Sequence, residues 1–142
     1  MIYTSNFDNL KNLDKKYIPI AICGRCPDNY KGLRYPKLAP KKKFFNEWLI
    51  NKDNNFYIEH FNEEVLKDLN QLDVVGDLIN LIDNCEEIEE EVKMWLHIVN
   101  CGVWCNPHIH IVLVCYEPKE EFCHRHRVRD WLNESITKCS EL

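Results

Sequence analysis

The chain has 142 residues, 45% of them hydrophobic, enough to bury one core without disulfides or metal, so a single domain spanning 1–142 is expected. No run approaches the roughly 20 consecutive apolar residues that cross a bilayer, and Met1-Ile2-Tyr3-Thr4 lacks the regions of an export signal, so a cytoplasmic protein with no membrane partner is expected. The formal charge of -5 argues against general polyanion binding, which draws on lysine and arginine, and makes nucleic acid an unfavoured partner; the oligomeric state stays open.

In chain order, Ile2-Tyr3-Thr4 and Ile18-Pro19-Ile20-Ala21-Ile22 are short, β-branched or apolar, and bounded by polar turn residues, the pattern of strands. The basic stretch Arg25, Lys31, Arg34, Lys37, Lys41, Lys42 and Lys43, interleaved with Tyr30, Tyr35 and prolines, resists regular structure and reads as an extended loop. Helical periods follow: Phe44, Phe45, Trp48 and Leu49; Phe61, Val65 and Leu69; Leu72, Val75, Ile79 and Ile82. After Cys85 an acidic run from Glu86 to Glu91 opens a further amphipathic helix with Ile88, Val92, Trp95 and Val99 on one face, since carboxylates stabilise a helix N-terminus. Ile109 to Cys115 is the most continuous apolar run and reads as a central strand covered on both faces. A last helix is expected from about Cys123 to Cys139, with Val128, Trp131, Leu132 and Ile136 as its buried stripe; one turn back from Val128, His124 faces the sheet edge. Strands alternating with helices give an α/β fold with a small, mostly parallel sheet flanked by helices, a Rossmann-like three-layer arrangement. Ligands of such sheets sit beyond the carboxyl ends of the strands, which makes Thr4-Ser5, Cys23-Gly24-Arg25 and Cys115-Tyr116-Glu117 rim residues.

The segments Ile2-Tyr3-Thr4-Ser5, Cys23-Gly24, Tyr30-Lys31-Gly32, Lys37-Leu38-Ala39-Pro40, Cys115-Tyr116-Glu117 and Phe122-Cys123-His124-Arg125, in order along nearly the whole chain, resemble the domain of unknown function 488 family. The most specific element is a strand ending in Cys-x-Glu paired with a downstream Cys-His-Arg. By that resemblance the signature falls on Cys115, Glu117, Cys123, His124 and Arg125, and it implies the fold more than any reaction. Two features depart from it: a long connection from about Glu86 to Pro107, and Cys26, which makes a Cys-Gly-Arg-Cys motif.

Read as chemistry, Arg125 just inside a helix joins a fixed cation to free backbone N–H groups and the positive end of the helix dipole, a combination suited to phosphate, with His126 beside it. Glu117 at a strand end can accept from a ribose hydroxyl or a base, or act as an acid/base group. Cys123 at a helix N-terminus gains thiolate character, and His124 stands beside it. Arg34 and Lys37 add positive charge if the basic loop folds over the site, and Tyr116 lies between Cys115 and Glu117. These features imply binding of a small phosphorylated, nucleotide-derived molecule without a cofactor. The alternatives are an enzyme on a nucleotide-like substrate, with Glu117, Cys123 and His124 as its catalytic residues, and a nucleic-acid or protein-binding module. A structural Glu117–Arg125 ion pair is the plain competing reading. A phosphatase-like or rhodanese-like phosphate loop is disfavoured, because Cys115 to Arg125 is too long and Pro118-Lys119-Glu120-Glu121 carries two acids and no glycine.

The eight cysteines read as reduced thiols in a protein without an export signal. Cys101, Cys105, His108 and His110, then Cys123-His124-x-His126, and Cys23-x2-Cys26 hold metal-ligand types, but no spacing matches a recognised zinc pattern. Packing thiols, surface imidazoles and no metal are the expectation.

Overall fold

The computed structural model describes residues 1–94, 109–135 and 138–142. Among these, five strands form one all-parallel sheet in the order β3-β2-β4-β1-β5: β1 (Ile2–Asn6), β2 (Tyr17–Ala21), β3 (Leu33–Arg34), β4 (His110–Cys115) and β5 (Cys139–Glu141). Helices flank it: α1 (Lys42–Asn51), α2 (Asn54–Phe61), α3 (Gln71–Asp83) and α4 (His124–Asn133). The α/β architecture with a parallel sheet is therefore as the sequence implies, and β4 occupies the middle of the sheet with all six of its residues buried.

Alternation divides the core. Ile18, Ile20, Ile111 and Leu113 face one side, where they meet Phe44, Phe61, Leu78, Ile82, Val128 and Leu132 from the helices. Ala21, Val112 and Val114 face the other, against Phe7, Leu10 and Tyr30. A 3-10 turn, Phe7–Asn12, capped by the Asn6 side chain, lies on that second side. Two helix starts are written in the sequence: Asp53 accepts from the amides of Asn55 and Phe56, and Asn70 from those of Leu72 and Asp73. Helix α1 ends at Lys52, whose backbone turns left-handed (φ 55°). The period through Phe61 and Val65 continues α2 into a π-type turn, Asn62–Leu66, that buries Val65 and Leu66.

Several expectations change. The basic stretch contains β3, and Tyr35 N–H donates to the Ala21 carbonyl at 2.8 Å, so this segment is stitched to the sheet edge. Leu72 is 58% exposed; the buried face of α3 is Val74, Leu78, Ile79 and Ile82. The acidic run begins in a turn, and among the described residues helix resumes at Glu90. Helix α4 stops at Asn133 rather than near Cys139. The Asn133 carboxamide instead brackets Cys139, donating to its carbonyl at 2.8 Å and accepting from its amide at 2.9 Å, which starts β5 beside β1. Trp95, Val99, Cys101, Cys105, His108 and Ile136 lie outside the described residues. Among the described residues no helix is long and apolar enough to cross a membrane.

Strand order sets the position of the site. The chain leaves β2 toward β3 on one edge, and leaves β4 through α4 toward β5 on the other. Connections that part in opposite directions leave a crevice beyond the carboxyl ends of the two strands between them, here β2 and β4.

Candidate functional site

A cavity of about 580 Å³ occupies that crevice. Its floor is made by Cys23 after β2, by Cys115 and Glu117 at the end of β4, and by Cys123 and His124 at the start of α4. Its wall is aromatic: Phe45 and Trp48 from α1, Tyr57 from α2, and Phe122. These rings hold one another in place, with Trp48–Tyr57 centroids at 5.4 Å, Tyr57–Phe122 at 5.1 Å and Trp48–Phe122 at 5.6 Å. The Trp48 indole N–H is anchored on Asn54 at 3.0 Å. Exposed Arg25 and Lys42 contribute two cations to the lining, and Asn46, Pro40, Gly24 and Tyr116 complete it.

The floor is a contiguous set of thiols around one imidazole. His124 is buried, and its Nε2 lies 3.0 Å from the Ile22 carbonyl. A carbonyl accepts only, so Nε2 carries the proton. His124 Nδ1 lies 3.8 Å from both Cys115 Sγ and Cys123 Sγ. Cys115 Sγ is also 3.5 Å from a Glu117 carboxylate oxygen, and Cys23 Sγ is 3.7 Å from Cys26 Sγ. Cys123 holds the N-cap position of α4 with an extended backbone and makes no side-chain cap bond.

The neighbours shift the thiols in opposite directions. The adjacent Cys115 thiol, then the neighbouring imidazole, hold Cys123 far below the usual thiol range, at about 3. Cys115 moves the opposite way, because the Cys123 and Cys23 sulfurs beside it and its burial favour keeping its proton. The nearby Cys115 thiol also lowers Cys23 to about 7, while burial and the adjacent Cys23 raise Cys26 to about 11. Burial, the largest influence on His124, disfavours its cation, but the Cys123 thiolate outweighs it and raises the imidazole pKa. Burial and the Cys123 thiolate push the Glu117 carboxyl up.

Of the residues singled out in the sequence, Cys23, Gly24, Arg25, Tyr116, Glu117, Cys123 and His124 line this one cavity. Others do not. Arg125 is fully buried and spends its guanidinium inside the protein: Nε donates to Glu141 at 3.0 Å, Nη1 to the Glu117 carbonyl at 2.6 Å and Nη2 to the Pro118 carbonyl at 3.0 Å. It ties the β4–α4 loop to β5, and its ion pair is with Glu141 rather than the Glu117 carboxylate. Thr4 also donates to Glu141, and His126 Nε2 stands 3.6 Å from the same carboxylate. Ser5 accepts from the Asn9 side chain at 3.0 Å. Arg34 is exposed on β3, and Lys37 pairs with Asp77 at 2.8 Å. The aromatic wall, Lys42 and Asn46 were not anticipated as site residues, because Phe45 and Trp48 fit a core-facing helical stripe equally well.

Comparison of the chain with protein-family models, curated proteins and solved structures returns no match. The functional reading therefore rests on the geometry of the cavity.

Proposed function

We propose that the cavity binds a small molecule with a flat, nucleobase-like ring and a phosphate or similar anionic arm. The observation that carries this reading is the pairing of an aromatic wall with two cations in one concave lining at the switch point of the sheet. Trp48, Tyr57 and Phe122 offer ring faces and edges for stacking. Arg25 supplies a planar, bidentate donor for phosphate oxygens, and Lys42 a second point charge. Arg25 thus takes the anchoring role that the sequence suggested for Arg125, whose donors are already engaged. Glu117 and Asn46 can accept from the polar edge of the ring or from a ribose.

The test is a titration of the full chain with the common nucleoside monophosphates, their nucleosides and inorganic phosphate, followed by the indole and backbone amide signals in nitrogen-15 NMR. A nucleotide is expected to shift Trp48 and residues 24–25 and 116–117. Trp48→Ala should weaken binding about tenfold or more, since a stacked base contributes about 1–3 kcal/mol. Equal affinity of wild type and both Trp48→Ala and Arg25→Ala would overturn the reading.

The position of Glu117 favours one second reading, an enzyme acting on the same ligand. Its carboxylate lines the cavity and lies beside the Cys115 thiol, within reach of an occupant's exchangeable protons. Glu117→Gln should then keep the ligand and lose product formation by chromatography. Wild type that returns every bound nucleotide unchanged would leave the binding reading alone.

A further inference from the structure

We propose that Cys115, Cys123 and His124 bind one zinc-class divalent ion, with three ligands from the protein and the fourth position open to the cavity. The two Sγ atoms and the imidazole nitrogen lie within 4.8 Å of one another. A tetrahedral zinc, with Zn–S near 2.3 Å and Zn–N near 2.0–2.1 Å, needs about 3.8 Å between two sulfurs and about 3.6 Å between sulfur and nitrogen. His124 Nδ1 stands at 3.8 Å from each sulfur. Closing on an ion thus asks for a shift of about 0.2 Å in each sulfur–nitrogen separation and of up to about 1 Å between the sulfurs, which lie within 4.8 Å.

The imidazole is already oriented as a metal requires. Its Nε2–H is engaged by the Ile22 carbonyl, which turns Nδ1 toward the two sulfurs, and a proton held on Nδ1 leaves to solvent when the ion binds. A backbone carbonyl holding the far nitrogen is the usual outer partner of a metal-bound histidine. The three ligands also come from rigid elements: Cys115 ends the central strand, and Cys123 and His124 begin α4.

Charge favours an ion here as well. Two thiolates, a neutral imidazole and a divalent cation sum to zero, so the buried group as a whole carries no net charge into the core. The ion enters as a dication, both cysteines bind it as thiolates, and any remaining thiol protons leave to solvent. Three ligands and an accessible fourth position are the arrangement of reactive rather than purely structural zinc sites. Water or a donor atom of the cavity's occupant fills that position, with Glu117 on the cavity side to accept a hydrogen bond from it. This site does not depend on which molecule the cavity takes. It was hidden in the sequence because Cys115 joins Cys123 and His124 only through the fold.

The experiment uses the full chain, freed of metal by a chelator under reducing conditions and titrated with cobalt(II) and then zinc(II). One cobalt per chain is expected, with a sulfur-to-cobalt charge-transfer band and the visible bands of four-coordinate geometry, all displaced by zinc. Cys115→Ser and Cys123→Ser should each lower zinc affinity by more than about a hundredfold, since losing even an outer partner costs 10–100-fold. Cys85→Ser should bind as wild type does. Because a buried serine can unfold the chain, X-ray absorption of the zinc-loaded wild type provides a second measurement: two sulfur, one imidazole nitrogen and one light scatterer. Absence of cobalt binding, or a shell of nitrogen and oxygen alone, would overturn the proposal. So would an unchanged charge-transfer band in folded Cys115→Ser, which would assign the ion to other cysteines and histidines. A third sulfur would show Cys23 closing the fourth position and would overturn the open site.

Discussion

Replacing Arg125 with methionine separates a structural role from a ligand-binding one. The side chain makes one buried ion pair with Glu141 and two further hydrogen bonds to the Glu117 and Pro118 carbonyls, while Glu141 is itself only 7% exposed. Removing one partner of such a pair leaves the other charge buried and costs about 3–5 kcal/mol, a large share of the 5–15 kcal/mol that holds a typical domain. Arg125→Met should therefore lower the urea midpoint sharply. Adding Glu141→Met removes the orphaned charge, so the double variant should recover about 1–3 kcal/mol of the loss. The remainder reflects two carbonyls that have lost their donors and Thr4, which has lost Glu141 as its acceptor. Equilibrium urea unfolding of the four proteins gives the cycle directly. A single variant that costs under about 1 kcal/mol, or losses that simply add, would refute the assignment of Arg125 as a clamp between loop and strand.

Other perturbations probe separate parts of the molecule. Leu78→Ala empties a fully buried position under the sheet and should cost about 2–5 kcal/mol in the same unfolding assay. At Gly32 an added methyl would meet the Tyr30 hydroxyl at 2.6 Å and its ring carbon at 2.7 Å, and that hydroxyl is held by the Leu33 carbonyl; Gly32→Ala should therefore destabilise by about 1–3 kcal/mol. Hydrogen bonds from Lys37 and Tyr35 hold the Asp77 carboxyl below the usual carboxylate range. Its contribution to stability is thus present above the unfolded value near pH 4 and is lost as pH falls through the depressed folded value. Lys37→Met should raise the Asp77 midpoint in a carboxyl-carbon NMR titration, with only a small effect on stability because the pair faces solvent.

Much of the sheet could be read from the sequence. Ile2–Asn6, Tyr17–Ala21 and His110–Cys115 carry enough β-branched and apolar residues in succession to announce strands, and the last is continuous enough to announce the centre. The two edge strands could not be read this way. Leu33-Arg34 and Cys139-Ser140-Glu141 are too short to show a period and exist because β2 and β1 offer them a free edge. Missing β5 also hid Glu141, and with it the partner that draws Arg125 into the core. The spacing from Val128 through Leu132 to Ile136 suggested a longer helix, which the Asn133 bracket on Cys139 ends.

The candidate site divides along the same line. Cys123 and His124 were placed by the helical period that continues from Val128, and Glu117 by the end of the central strand. Their meeting with Cys23 and Cys115 depends on β2 lying next to β4, a pairing between residues far apart in the chain. The aromatic wall shows a limit of another kind. Phe44 and Phe45 are neighbours on α1 and equally apolar, yet Phe44 is sealed in the core while Phe45 lines the cavity. Hydrophobic periodicity reports that a face is covered and does not distinguish protein from ligand as the cover.

The most direct measurement is mass spectrometry of the small molecules released when the purified protein is denatured, compared between wild type and a Trp48→Ala/Arg25→Ala variant of equal stability. A phosphorylated molecule with an ultraviolet-absorbing ring should leave the wild type and be depleted from the variant. Release of such a molecule in equal amounts from both proteins would contradict a ligand held between the aromatic wall and Arg25.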